Sequence, residues 1–417
     1  MSRGPRIGRR AFLAGTAGGA AALAGARPAA AQAIEVSVPG SLLYALDRET
    51  GEAKWSRRLP PLWNRPALAG DVLVAGTGER IVGLSPDGGE ERWRLDRGVL
   101  DSPEETEGTG VAAADGRAYA ATADGSVVAV DAASGDVDWT FAFGEGASAA
   151  RTTPVAAGGA LYAVAESGTL VSLDPATGDE RWRTATRSAP AYAVGAGADR
   201  AYVGGGSNIA AYDAADGSEA WGHPSLSTSA PIPTLGNGHL YVSGEGGSFH
   251  TLDPATGEQR WRTDLGVRNE FDFAGDRAYV AAGDIVAAVG GDGAVLDRFG
   301  LPIAAASGTA VADGRVHVAA NDGMLRALST DDGSVAWATD LRDDSLRSGE
   351  NETAPVWLFT TPVVEGDTVY AGTTLTEIGS PESGPGGTNL LTQFALILVS
   401  VLGAGYAVRR FTHGGPK

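Results

Sequence analysis

Short apolar runs recur along most of the chain, and each is closed by the same polar turn. Leu43-Tyr44-Ala45-Leu46 and Leu170-Val171-Ser172-Leu173 are two examples. After such a run comes Asp-x-x-Thr-Gly and then, four residues past the glycine, a tryptophan. The first copy runs from Ala45 to Trp55 and reads A-x-D-x-x-T-G-x-x-x-W. Runs this short, bounded by turn residues, predict strands and not helices. In the turn, Asp accepts bonds from backbone amides and Gly takes the positive φ that other residues resist. The returning strand ends in Trp, a large planar surface for packing against a neighbouring unit. Ahead of each hairpin lies a second strand pair, as in Thr152-Thr153-Pro154-Val155 followed by Ala160 to Val164, and Thr360 to Val364 followed by Thr368 to Gly372.

The pattern repeats, and the repetition predicts the fold. Copies end at Trp55, Trp93, Trp139, Trp182, Trp221, Trp261 and Trp337, with Gly51, Gly89, Gly135, Gly178, Gly217, Gly257 and Gly333 four residues before them. The Asp position holds Asp47, Asp131, Asp174, Asp213 and Asp253, with Ser85 and Ser329 in two copies. An eighth copy around Gly293 is degenerate, with Val289 read at the Asp position and Asp297 at the Trp position. Spacings of 38 to 46 residues between successive tryptophans match a four-stranded blade. The chain opens on a hairpin with no strand pair before it and finishes on a strand pair (Pro362 to Thr373) with no hairpin after it. The two halves complete one blade. The prediction is an all-β, eight-bladed β-propeller over residues 34–378, closed by its N- and C-terminal strands so that ring closure leaves no free sheet edge. Residues that repeat once per blade at one turn position are expected to build the fold, so the motif Asp and Trp residues are read as structural.

Two segments outside the repeat predict location. Arg9-Arg10-Ala11-Phe12-Leu13 opens a weakly apolar stretch that ends at Ala31-Gln32-Ala33, which reads as a twin-arginine signal over 1–33 cleaved after Ala33. An ordinary secretory signal is the alternative, and either removes the mature protein from the cytoplasm. A Gly/Pro/Ser linker over 379–389 leads to an apolar run over 390–408, about 28 Å long as a helix and close to the ~30 Å hydrocarbon core. Arg409 and Arg410 follow, so the tail 409–417 is expected in the cytoplasm and the propeller outside, on one transmembrane helix.

Composition narrows the chemistry. The 417 residues carry 51 acidic side chains against 32 basic ones, a formal charge of −19, and only two of the basic residues, Lys54 and Lys417, are lysine. Such a surface holds water and ions at high salt, and a salt-adapted, haloarchaeal-like source is expected. The same field repels phosphate backbones, which argues against nucleic-acid binding. Cysteine is absent, which removes disulfides, thiolate metal sites, cysteine nucleophiles and thioether lipid anchors. The five histidines show no ligand spacing.

On these motif residues the chain resembles the pyrroloquinoline-quinone (PQQ)-type β-propeller repeat family, whose tryptophan-docking motif is the pattern above, over about Glu35 to Ile378. The resemblance implies the propeller fold but divides on function, because the family holds quinone-dependent alcohol and sugar dehydrogenases as well as non-catalytic scaffolds similar to the bacterial outer-membrane assembly propeller lipoprotein. The enzymes hold Ca²⁺ with Glu, Asn and Asp beside the quinone and use an Asp as base, and several set a disulfide of adjacent cysteines against the cofactor ring. Here cysteine is lacking, and the nearest hard-ligand cluster, Arg268-Asn269-Glu270, reads as a solvated loop. No catalytic, cofactor-binding or metal-binding residue is therefore assigned. The expectation is a non-catalytic binding or assembly scaffold, with a dehydrogenase using PQQ and Ca²⁺ as the alternative.

Two tryptophans fall outside the motif. Trp63 precedes one inner strand and Trp357 precedes that of the closing blade; both lie where outer strands hand over to inner ones. Arg65 and Arg151 belong to the same face. Aromatics and Arg at a propeller mouth fit a docking surface for exterior envelope proteins or glycans; the alternative is that both indoles cap a channel plug. The polar insert Leu341 to Pro355 carries Asn351-Glu352-Thr353, an N-glycosylation sequon at Asn351. The acidic run Asp101 to Glu107 reads as a solvated loop.

Overall fold

In the computed structural model the described residues are 36–62, 64–77, 80–96, 110–122, 125–144, 152–223, 229–245, 247–267, 270–343 and 353–379. Their apolar runs form 33 strands, all antiparallel, in eight sheets that make an eight-bladed propeller. Blade 1 closes the ring. Its inner strand is β32 (Val363–Glu365), followed outward by β33 (Thr368–Gly379), β1 (Val36–Asp47) and β2 (Ala53–Leu59). Blade 2 is β3 (Ala67–Ala69), β4 (Val72–Gly76), β5 (Arg80–Leu84) and β6 (Glu91–Asp96). Blades 3 to 8 repeat this order over residues 111–142, 155–185, 191–223, 229–264, 272–300 and 305–340. The N-terminal strands β1 and β2 thus form the outer half of the blade and the C-terminal strands β32 and β33 its inner half, as the orphan half-blades in the sequence require.

Burial follows from period-2 alternation within sheets stacked face to face. The second and third strands are apolar on both faces, because each blade is covered by a blade on either side; β4 is buried at all five positions. The fourth strands alternate instead, as in β2. The core is therefore a set of clusters lying between adjacent blades, such as the one shared by Trp93, Val128 and Val130.

The closing blade departs from the expectation. In blade 2 the second strand ends at Gly76 and turns, but β33 passes the equivalent Gly372 and continues to Gly379. Beyond that point it pairs on one side with the start of β1, Val36 opposite Ile378, and on the other with β31 (Thr353–Phe359), Thr353 opposite Gly379. The end of the polar insert and the Trp357 segment are therefore an additional strand, and Gly379 belongs to it and not to the linker. The expectation of no free edge also fails here. β31 pairs only with β33 among the described residues, and its Pro355, which has no N–H, limits pairing by another strand.

Candidate functional site

Two surfaces carry the residues singled out above. The first is the face formed by the Asp-x-x-Thr-Gly turns. In five turns the Asp Oδ1 accepts backbone amides two or three residues ahead, as Asp47 does from Glu49 and Thr50 at 3.0 and 2.9 Å. Asp131, Asp174, Asp213 and Asp253 repeat this geometry. At Asp47 and Asp253 the bonding favours the ionised form: the Thr50 amide leads in lowering Asp47, and Arg260 leads in holding Asp253 down to about 2.

Each motif tryptophan then lies against the glycine of the next blade. A Cβ on Gly89 would stand 2.7 Å from the Trp55 ring, and Trp337 meets Gly51 across the ring closure. Every one of the seven indoles donates to the carbonyl just after the neighbouring turn's first residue, at 2.7–3.2 Å. This bond corrects the reading of the degenerate copy. Trp261 donates to Gly291, so Gly290 and not Val289 holds the Asp position, and the turn is one residue shorter, with Gly293 N bonded to Gly290 O. Asp297 does face the expected strand partner, Ala288, but the aromatic set against Gly333 is Phe299, two residues on and on the same strand face. Tyr residues of the second strands lie beside the tryptophans with ring centres 6.0–6.1 Å apart in blades 1, 3, 4, 5 and 6. In blade 8 that place is taken by His317, 5.6 Å from Trp337, and burial pushes its imidazole down to about 4.

The second surface is the mouth face, where fourth strands hand over to first strands. Leu62 is tied to the base of the β1–β33 extension. Its N–H donates to Ser41 Oγ at 2.7 Å, its carbonyl accepts from Thr374 Oγ1 at 2.7 Å, and the two hydroxyls are 2.6 Å apart. Leu358, next to Trp357, stands opposite that same Thr374 on β33. The backbone thus brings the chain beside Trp63 and the chain beside Trp357 to one residue, Thr374. Arg65, about half exposed, forms an ion pair with Glu270, Nε to Oε2 3.7 Å. Arg65 leads into blade 2 and Glu270 into blade 7, three positions apart on the ring, so the pair spans the mouth. Sequence reasoning had Arg65 on this face but missed its partner, because nothing local links residues 65 and 270. Trp63, Arg151, Arg268, Asn269, Asn351, the run Asp101 to Glu107, the signal with Arg9, Arg10 and Ala33, and the apolar run 390–408 lie outside the described residues, as does the side chain of Trp357. No helix among the described residues is long and apolar enough to cross a membrane.

This geometry is that of a known repeat. The family described as Outer membrane protein assembly factor BamB matches residues 11–98, 78–225, 205–297 and 266–388, overlapping stretches that run through most of the sequence. The chain belongs to this family. The BamB of Yersinia pestis is 28% identical over 156 residues, 34% of this chain and 39% of the relative, so the chain spans about two fifths of that relative's length. Among solved structures, BamB from Moraxella catarrhalis superposes with a TM-score of 0.57 at 18% identity, over 75% of this chain and 96% of its own. The quinohemoprotein alcohol dehydrogenase from Comamonas testosteroni superposes with 0.59 at 14% identity, over 84% and 78%. At these identities the structural likeness concerns the fold.

Both kinds of neighbour share the BamB-type blade, so the donor set must be tested against the quinone. PQQ is a tricarboxylate and its partner ion a hard cation, so their site needs converging cationic and oxygen ligands. Among the described residues the inner strands carry two charged side chains, Asp272 and Glu365. Asp272 is already engaged, accepting from Val311 N of blade 8 at 2.8 Å and from Phe273 N at 2.8 Å. Glu365 is exposed at a hairpin end. Glu270 faces Arg65, and no group of three His, Asp or Glu that could hold a metal occurs among the described residues. These residues do not fit the quinone and its ion.

Proposed function

We propose that this chain is a membrane-tethered, exterior BamB-type propeller that acts as a non-catalytic assembly or binding scaffold, docking envelope proteins or glycans at its mouth face. The carrying observation is how the polar groups are used. Motif carboxylates and indoles are spent on turns and blade contacts, whereas the mouth face holds the groups that no repeat requires: Arg65, Glu270 and the Trp63 and Trp357 segments. The relative's name, an outer membrane protein assembly factor, supports an envelope role of the same kind. The signal over 1–33 and the apolar run over 390–408 support the exterior, tethered placement, with the tail cytoplasmic.

A dehydrogenase of alcohols or sugars is the second reading, favoured only by the shared fold. Purified exterior domain incubated with PQQ and Ca²⁺ separates the two. The scaffold reading expects no shift in melting temperature and no dye reduction with primary alcohols or aldoses. Reduction that depends on both additions would establish the enzyme instead.

A further inference from the structure

We propose that the propeller stands with its mouth face towards the bilayer and its Asp-turn face outward. This orientation rests on the tethered-scaffold reading, and the partner it names is the lipid surface to which the apolar run 390–408 would attach.

The first argument is where the chain leaves the disc. β33 crosses blade 1 from the Asp-turn face to the mouth face and continues past the point where the second strand of blade 2 turns back. From Thr373 to Gly379 it is held between β1 and β31, a three-stranded extension through which the described chain ends on the mouth side. Its base is fixed by the bonds joining Leu62, Ser41 and Thr374. Seven residues at about 3.3 Å each make that stretch roughly 23 Å long. A tether that leaves from one side of the disc turns that side towards its attachment. The disc would hang mouth-down over the lipid surface.

Charge gives the second argument. The connectors that join first to second and third to fourth strands, which form the Asp-turn face, carry 19 Asp and Glu against one basic residue, Arg48. Among the described residues the connectors on the mouth side carry five acidic residues against three arginines, Arg65, Arg187 and Arg342. Near anionic headgroups the Asp-turn face is the more strongly repelled of the two, and the mouth side the less.

The chain has no cysteine, so a single introduced thiol reports one position. Within blade 4, Ser167 lies in the mouth-side turn between β12 (Ala160–Val164) and β13 (Thr169–Leu173). Ala176 lies in the opposite turn, between β13 and β14 (Glu180–Ala185), and both positions are exposed. Full chains carrying Ser167→Cys or Ala176→Cys would be labelled with a donor dye and reconstituted at high salt into phosphatidylcholine vesicles holding an acceptor lipid. Energy transfer to the bilayer is expected to be about twofold or more stronger from position 167 than from 176, given the thickness of a blade. Lengthening the linker after Gly387 with a Gly/Ser stretch should bring the two values together. Equal transfer in the unlengthened chain, or stronger transfer from 176, overturns the orientation while leaving the tether intact. A chain that stays in solution beside the vesicles overturns the tether, and the orientation with it.

Discussion

The two faces of this propeller are made from the same repeat but carry different obligations. On the Asp-turn face the motif groups have partners set by the repeat: Asp47 caps its own turn, and Trp337 donates to the Arg48 carbonyl next to it at 2.8 Å. On the mouth face the connectors vary in length and content, and the contacts described there, Leu62 to Ser41 and Arg65 to Glu270, occur once each. A repeat constrains what every blade must do and leaves free what a single blade may add. Stability should therefore respond to substitutions in the motif, and partner binding to substitutions at the mouth.

The largest expected effect breaks the docking ring. Trp93 is 9% exposed and donates to Ala132 O at 2.7 Å, so Trp93→Ala should cost ~3–5 kcal/mol in chemical denaturation. A loss below about 1 kcal/mol would mean that the indole does not hold blades 2 and 3 together.

Acid gives the next effect. His317 is fully buried beside Trp337, with Nδ1 3.4 Å from Ala310 O and Nε2 without a partner. Its folded value of about 4 lies below the ordinary 6.5, so protonation favours the unfolded chain. The stability it contributes is complete above about pH 6.5 and is lost as pH falls from there towards 4, up to about 3 kcal/mol in total. His317→Tyr, which restores the residue found here in six blades, should flatten the melting temperature over that window. An unchanged slope would assign the acid sensitivity to other groups.

The smallest effect lies at the mouth. Arg65 and Glu270 are both about half exposed, so their ion pair is screened, and Arg65→Ala should change stability by less than about 1 kcal/mol. A larger loss would make the pair part of the fold and remove it from the docking surface.

Most of the architecture was legible because one turn chemistry recurs. The Asp, Gly and Trp positions gave blade number, blade length and ring closure before any coordinates. Where the chemistry lapses, the reading slipped by one residue, since Gly290 and Gly291 make a shorter turn that only the Trp261 bond identifies. Phe299 could have been found: it is the aromatic two positions beyond Asp297, on the same face of the strand. The extension was hidden because Thr353 to Phe359 follows a polar insert and lacks the flanking turn signals used elsewhere. The site was less legible than the fold. Contacts such as Arg65 with Glu270 join loops far apart in sequence, and no period announces them.

The central claim is that binding resides at the mouth face and stability in the motif. The most direct measurement compares partner capture from solubilised membranes, at multimolar salt, by the parent and by a Trp63→Ala/Trp357→Ala double variant, with both melting temperatures recorded. The account predicts an unchanged melting temperature and loss of the captured partners, because apolar contacts persist where charge attraction is screened. The same partners held by both proteins, or nothing captured by the parent, would contradict it.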